Sequence, residues 1–384
     1  MTDITIRNVL LDGQRVDIDI EGGLVADIVA PRPLPVQAHH TIDGSHMAAL
    51  PGFVNGHTHA AMTLLRGYGD DMPLEAWLKE KIWPAEARWT DEGIYWAARL
   101  ACLEMIKSGT TCFNDMYFRN PATARAVVDS GLRAVLGEVA MDFFDPQQTE
   151  AVQDRFRKWE RNLGSMAHPR LRFAVAPHAL YTVSEPLLRW LGDFARDHDM
   201  LLHIHAAETE TECHESLERC GQTPLRRLHT LGLLGPRTVV AHALWLDDDE
   251  IRMAGDTSTG VVHNPNSNLK LGSGFRFRLL ELRDAGARIG LGTDGCSSSN
   301  NLDMLEAAKT MALLQKGWRH DPTALPAAEA LSIASAGGAA LLGLDLGTLA
   351  PGRPTSCSSA SPARPSPPTP TASPTYSIPP TATP

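Results

Sequence analysis

No Cys-x-x-Cys pair occurs in this chain; its six cysteines stand apart at positions 102, 112, 213, 220, 296 and 357. Scattered thiols in a long chain fit a reducing, cytoplasmic setting, and they read as small packing residues rather than redox or metal groups. No run of about 18 apolar residues is present, so no transmembrane helix is legible and no membrane partner is expected. The N-terminal stretch alternates apolar and polar residues and carries acids early, which is not the pattern of a signal peptide. Basic excess is missing too: 35 Lys and Arg against 45 Asp and Glu leave a net charge of -10, which argues against a nucleic-acid partner. Absent as well are a P-C-x-x-C deaminase signature, a G-x-x-x-x-G-K-[ST] loop, a G-x-S-x-G elbow and H-E-x-x-H.

What is present fits one large domain, or a barrel with a small companion: 384 residues, 43% of them hydrophobic. Residues 1–50 read as short strands, ITIRNVLL, RVDIDI and LVADIVAP, separated by hairpin signals at Asp12-Gly13 and Gly22-Gly23. From residue 51 to 350 the pattern changes. Short apolar runs (FVNGHTH, GTTCF, LRAVLGEV, LRFAVAPH, MLLHIHAA, TVVAHAL, TGVVHNP, ARIGLGTD) alternate with helical stretches such as GIYWAARLACLEMIKSG and EPLLRWLGDFARDH. Strands alternating with helices predict a parallel sheet, and eight such units predict a closed (β/α)₈ TIM-like barrel, with a doubly wound open sheet as the alternative. His57, His59, His178, His205, His242 and Asp294 all fall at the C-terminal ends of expected strands, the face on which such barrels build active sites.

His57-Thr58-His59 places two imidazoles on one side of a strand, within reach of one ion. With 15 histidines, composition alone predicts roughly 0.6 such pairs by chance, and His203-Ile204-His205 is a second. The pair gains weight from its company: His205 with Glu208 three residues on, then His242, then Asp294. Three histidines and a carboxylate form a nitrogen-rich ligand set that suits Zn²⁺ or Fe²⁺ better than Mg²⁺ or Ca²⁺. The bland reading of each histidine taken singly is a hydrogen-bonded strand terminus. Gly290-Leu291-Gly292-Thr293-Asp294-Gly295 matches a dinucleotide fingerprint literally, yet it lies at the end of the barrel rather than in an opening βαβ unit.

PGFVNGHTHAAMTLLRG, HIHAAET, VVAHAL, HNPNSNLKLGSG and GLGTDG, taken in order, resemble the amidohydrolase superfamily. Within its deaminase and chlorohydrolase branch they are most similar to the 5′-methylthioadenosine/S-adenosylhomocysteine deaminases. The resemblance runs from about residue 1 to 350. It implies one divalent ion, zinc by preference and Fe²⁺ as the alternative, on His57, His59, His205 and Asp294. FAVAPHALY offers no bridging ligand for a second ion. The resemblance also implies that Asp294 takes a proton from water, that Glu208 shuttles a proton to a ring nitrogen, and that His242 contacts the attacking water. Glu86 would read ribose hydroxyls, His178 the sugar or base, and Trp77 would pack on the sugar. Plain helix packing for Trp77 and a solvated charge for Glu86 are the competing readings.

The implied activity is hydrolytic deamination of adenosine-type nucleosides (5′-methylthioadenosine, adenosine, S-adenosylhomocysteine) to the inosine analogue and ammonia. The partner is then a small purine nucleoside; a homo-oligomer is left open. Alternatives are a guanine or pterin deaminase, a triazine chlorohydrolase, or, from another class, a catalytically impaired barrel scaffold. Glu138 falls where some relatives carry an arginine on strand three, which counts against a carboxylate-bearing substrate tail.

Residues 351–384 are a different material, holding eleven of the 27 prolines and no Asp, Glu or Lys. Such a segment is expected to be disordered. Its composition resembles out-of-frame translation of a GC-rich gene; a native linker is the other reading. On either, the strands of residues 1–50 form a small, incomplete β-sandwich without their partners.

Overall fold

Apolar runs five to eight residues long, each followed by a helix, assemble in the computed structural model into a ring of parallel strands. The structure describes residues 2–34 and 37–354 and the backbone of residues 357–360. The first strands are β1 (Thr2–Leu11), β2 (Gln14–Glu21), β3 (Leu24–Val29), β4 (Ala38–Asp43) and β5 (Ala48–Pro51). The ring consists of β6 (Phe53–Thr58), β7 (Thr110–Tyr117), β8 (Arg133–Ala140), β9 (Leu171–Pro177), β10 (Leu201–Ala206), β11 (Thr238–His242), β12 (Gly260–His263) and β13 (Arg288–Leu291). These eight run in sequential order, each parallel to the next. Beyond the last strand, the Asp294 amide donates to the His57 carbonyl at 3.0 Å. Asn55 Nδ2 donates to Thr293 Oγ1 at 2.7 Å. First and last strands are thereby joined, and the barrel, not the open sheet, is the fold.

The floor of the barrel is filled by one small side chain from each of six strands, Val54, Cys112, Val135, Ala174, Val239 and Val262, packed with Leu341 and Leu342. Small residues are needed because eight inward-pointing positions converge on a narrow axis. The connecting helices begin where the sequence supplies a cap. Thr90 accepts from the Gly93 amide ahead of the helix Asp91–Lys107, Ser184 heads Glu185–Asp197, and Asp247 with Glu250 forms a reciprocal capping box. No helix among the described residues is long and apolar enough to cross a membrane.

The N-terminal strands form a separate six-stranded sheet. Asp12 and Gly13 (φ 48° and 80°) and Gly22 and Gly23 (φ 57° and 78°) turn its two hairpins; positive φ at both central residues matches the twist of the flanking strands. Ile6, Val9, Ile18, Ile20, Val25 and Ala49 make its apolar face. The expectation that these strands lack partners is corrected here. The Val25 amide donates to the Arg353 carbonyl at 2.8 Å and Gly352 donates back to Val25 at 2.8 Å. A last strand, β14 (Cys357–Ala360), pairs antiparallel with β5. Residues 351–354 and 357–360 are therefore built into the sheet, although they carry no strand-like side-chain pattern, because ladder bonds need only the backbone. The expected disorder of residues 361–384 lies outside the described residues.

Candidate metal centre and active site

Because the barrel closes, the C-terminal ends of distant strands meet. His57 lies near the end of β6 and His59 just beyond it. His205 lies near the end of β10, His242 ends β11, and Asp294 follows β13. His57 Nε2 stands 3.2 Å from His205 Nε2 and 3.4 Å from Asp294 Oδ1, and His59 Nε2 stands 3.2 Å from Asp294 Oδ1. Four-coordinate zinc with bonds of about 2.0–2.1 Å separates its ligands by roughly 3.3–3.4 Å, so the spacing suits one ion. The donor chemistry agrees. His59 Nδ1 donates to the Met116 carbonyl at 2.7 Å and His205 Nδ1 to the His178 carbonyl at 2.9 Å. A carbonyl can only accept, so Nδ1 of each ring carries a proton and Nε2 points inward. Burial opposes a charge on His59, but the Asp294 carboxylate 3.2 Å away prevails and raises it to about 9, so its Nε2 is drawn to a cation, whether a proton or a divalent ion. These residues can hold a divalent metal ion.

Asp294 is buried, yet its contacts with His57 and His59 outweigh the desolvation and hold it well below the usual carboxylate range. Ser267 Oγ donates to its Oδ2 at 2.6 Å and the Gly295 amide to its Oδ1 at 2.8 Å. Asp294 and His242 both sit at left-handed φ, 60° and 75°, a cost of about 1–3 kcal/mol each for residues other than glycine. The surrounding hydrogen bonds must impose it.

Glu208 lies on the loop after β10 with its carboxyl 3.7 Å from His242 Nε2. Burial, then the charge of Asp294, pushes its pKa up to about 8, so it holds a proton at neutral pH. His242 moves the other way: burial pulls it down to about 4, leaving a neutral ring.

Residues 48–358 match the amidohydrolase family. The chain belongs to that family. Among its relatives, the 5′-deoxyadenosine deaminase of Methanoregula boonei is 47% identical over 318 residues, covering 83% of this chain and 72% of its own. The 5-methylthioadenosine/S-adenosylhomocysteine deaminase of Syntrophomonas wolfei is 46% identical over 319 residues, 82% of this chain and 73% of its own. The solved structure of an adenosine deaminase from Xanthomonas campestris, with bound zinc, superposes with a TM-score of 0.84 at 33% identity, over 94% of this chain and 85% of that one.

In this amidohydrolase a single cavity is lined by eight of the nine side chains singled out from the sequence: His59, Trp77, Glu86, His178, His205, Glu208, His242 and Asp294. The ninth, His57, is fully buried. Trp77 is buried on the helical segment Trp77–Ile82. Glu86 follows it, its Oε1 buried with no hydrogen-bond partner among the described residues. Burial pushes the Glu86 carboxyl up to about 7, against the opposing pull of the Tyr117 hydroxyl. His178 is held by Thr182 Oγ1 at 2.9 Å, and burial lowers it to about 3.

Glu138 does not join them. It pairs with Arg155 of the helix Pro146–Asn162, whereas Val139 and Met141 line the cavity. Side chains alternate along a strand, and the phase of β8 turns Glu138 toward the helix layer, so its supposed bearing on the substrate tail is withdrawn. Residues that went unnoticed in the sequence are Tyr117 and Tyr181 in the lining, Ser273, which donates to Glu208 Oε1 at 3.2 Å, and Ser267. The HNPNSNLKLGSG phrase that carries Ser267 and Ser273 was visible, but nothing in it says which strand end each hydroxyl meets.

Proposed function

We propose that this amidohydrolase is a zinc-dependent deaminase of adenosine-type nucleosides, replacing the exocyclic amine of the purine by oxygen and releasing ammonia. The observation that carries this reading is a pair of carboxyls facing one cavity, both held near neutrality by burial: Glu208 beside the histidine cluster and Glu86 on the Trp77 side. His57, His59, His205 and Asp294 would hold a divalent ion, which would supply water acidified toward neutrality. Asp294 accepts the proton that this water gives up. Glu208, protonated at neutral pH, donates to the ring nitrogen beside the carbon under attack, where negative charge otherwise accumulates; left as a carboxylate it takes the proton of the new hydroxyl and passes that to the departing amine, and the proton held by Asp294 restores it. His242 contacts the attacking water. Glu86 accepts from ribose hydroxyls, which relieves its unpartnered oxygen; His178 and Trp77 bound the sugar.

A second cavity of about 680 Å³ adjoins the first and shares Leu74, Leu78, Trp83, Tyr181 and Leu271 with it. Phe143, Phe144 and Trp245 extend its apolar wall, and Glu210 and Glu215 stand at it together with Lys79 and Arg219. We assign it to the 5′ substituent, whose small apolar forms suit the Phe143, Phe144 and Trp245 wall. The guanine, pterin and triazine readings leave Glu86 without a hydroxyl to meet. The scaffold reading is not favoured either, since the C-terminal segments pair in the other sheet and leave the ligand cluster assembled. Ammonia release from 5′-deoxyadenosine, 5′-methylthioadenosine, adenosine, S-adenosylhomocysteine and guanine by zinc-loaded protein tests the reading. The first three are expected to be turned over best. Release from guanine alone would overturn it.

A further inference from the structure

What stands behind His242 differs from what stands behind His59 and His205. His59 and His205 turn Nδ1 to backbone carbonyls. His242 turns Nδ1 to side-chain amides: Asn268 Nδ2 lies 2.8 Å away and Asn264 Nδ2 3.5 Å away. With the amide nitrogens turned to it, and Asn268 Oδ1 and Asn264 Oδ1 left buried without a partner among the described residues, Nδ1 of His242 is the acceptor, and a neutral ring then carries its single proton on Nε2. That nitrogen faces Glu208 Oε2 at 3.7 Å and Asp294 Oδ2 at 4.0 Å, both beyond hydrogen-bond length. It therefore presents N–H, not a lone pair, to the space between the two carboxyls.

Distance alone leaves His242 a candidate ligand, because its ring nitrogen falls within 4.8 Å of those of His57 and Asp294. Tautomer removes it. We propose that Asn268 is a positioning residue that fixes the proton of His242 on Nε2, excluding His242 from the metal and making it a hydrogen-bond donor to the attacking water. Its own position is fixed by burial, for Asn268 is 1% exposed, on the short helix Pro265–Lys270 directly after β12. Its neighbour Ser267 bonds Asp294, so two adjacent residues orient the groups on either side of the water. A donor there holds the water with one lone pair turned toward the purine carbon. A bare nitrogen would take the water's proton in competition with Asp294.

The inference rests on the deaminase reading, and the test separates the two. Zinc-loaded protein labelled with ¹⁵N-histidine is compared with its Asn268→Asp and Asn268→Leu variants, the His242 signals being assigned by their loss in His242→Gln. The wild-type spectrum is expected to show protonated Nε2 and bare Nδ1 at His242, and N268D to move the proton to Nδ1, whose new partner can only accept. Both Asn268 variants are expected to keep one metal per chain and a KM within twofold, while kcat falls at least tenfold. A wild-type spectrum with the proton on Nδ1 overturns the proposal even if no variant folds. So does an unchanged kcat in N268D or N268L, or a lost metal in either. Failure of the wild-type enzyme on every adenosine-type nucleoside would instead sink the deaminase reading and leave the spectrum to decide the tautomer.

Discussion

As the proposed acid, Glu208 can donate only while protonated, so its environment would set an alkaline limit on the reaction. Its pKa is raised by burial to about 8. The active, protonated form is therefore complete at neutral pH and lost as pH rises through about 8, so kcat is expected to fall on that side. A flat profile from pH 7 to 9.5 would contradict the assignment. Glu208→Gln cannot exchange the proton and is expected to lower kcat by at least the ~10²–10⁴ of one acid–base group with metal content unchanged, as elemental analysis would read. Glu86 gives a different signature. Its proposed partner is the sugar, so Glu86→Ala is expected to cost about 1–3 kcal/mol in kcat/KM on 5′-deoxyadenosine and little on the 2′,3′,5′-trideoxy analogue. Equal losses on both would exclude a role at the ribose. The proposed ligands stood out in the sequence because chemistry restricts such groups to a few residue types at strand ends. Glu138 was misjudged because its type was visible but the phase of its strand was not.

At the scale of the element, seven barrel strands followed from the alternation of apolar runs with helical stretches, and the eighth, at residues 109–113, entered by counting it as a further strand. What the pattern does not carry is how closely β13 approaches β6. A Cβ on Gly292 would lie 2.8 Å from the His57 carbonyl, so the glycine is required by the approach that brings Asp294 to the histidines. Gly292→Ala is expected to push the two strand ends apart. Overpacking of this kind costs typically about 1–3 kcal/mol, and zinc affinity should fall along with stability; a variant with both unchanged would show that the approach is not needed. The helix Pro265–Lys270 was equally hidden, since six residues give no helical period to read.

For the whole molecule, the least legible feature was the role of the C-terminal segments. Their Ser, Ala and Pro carry no hydrophobic signal, so composition predicted no structure where backbone pairing supplies it. A chain ending at residue 350 loses the pairings of β3 and β5, whereas one ending at residue 360 keeps both. The shorter chain is expected to melt lower, by about 2–4 °C for each kcal/mol lost, and to aggregate through its open edges. Its kcat should be unchanged while folded, because every proposed ligand lies in the barrel. Equal melting temperatures for the two chains would show that the pairings contribute nothing.

The bond between Val25 and Arg353 also fixes an order of events in the cell. At roughly 5–20 residues per second, the ribosome needs on the order of 15–65 s to travel from one partner to the other. For that interval β3 has left the exit tunnel with its outer edge unclaimed, while the barrel is still being made. Nascent chains stalled before residue 350 should therefore recruit chaperones that recognise exposed strands, and those stalled far enough beyond residue 360 for β14 to have emerged should release them.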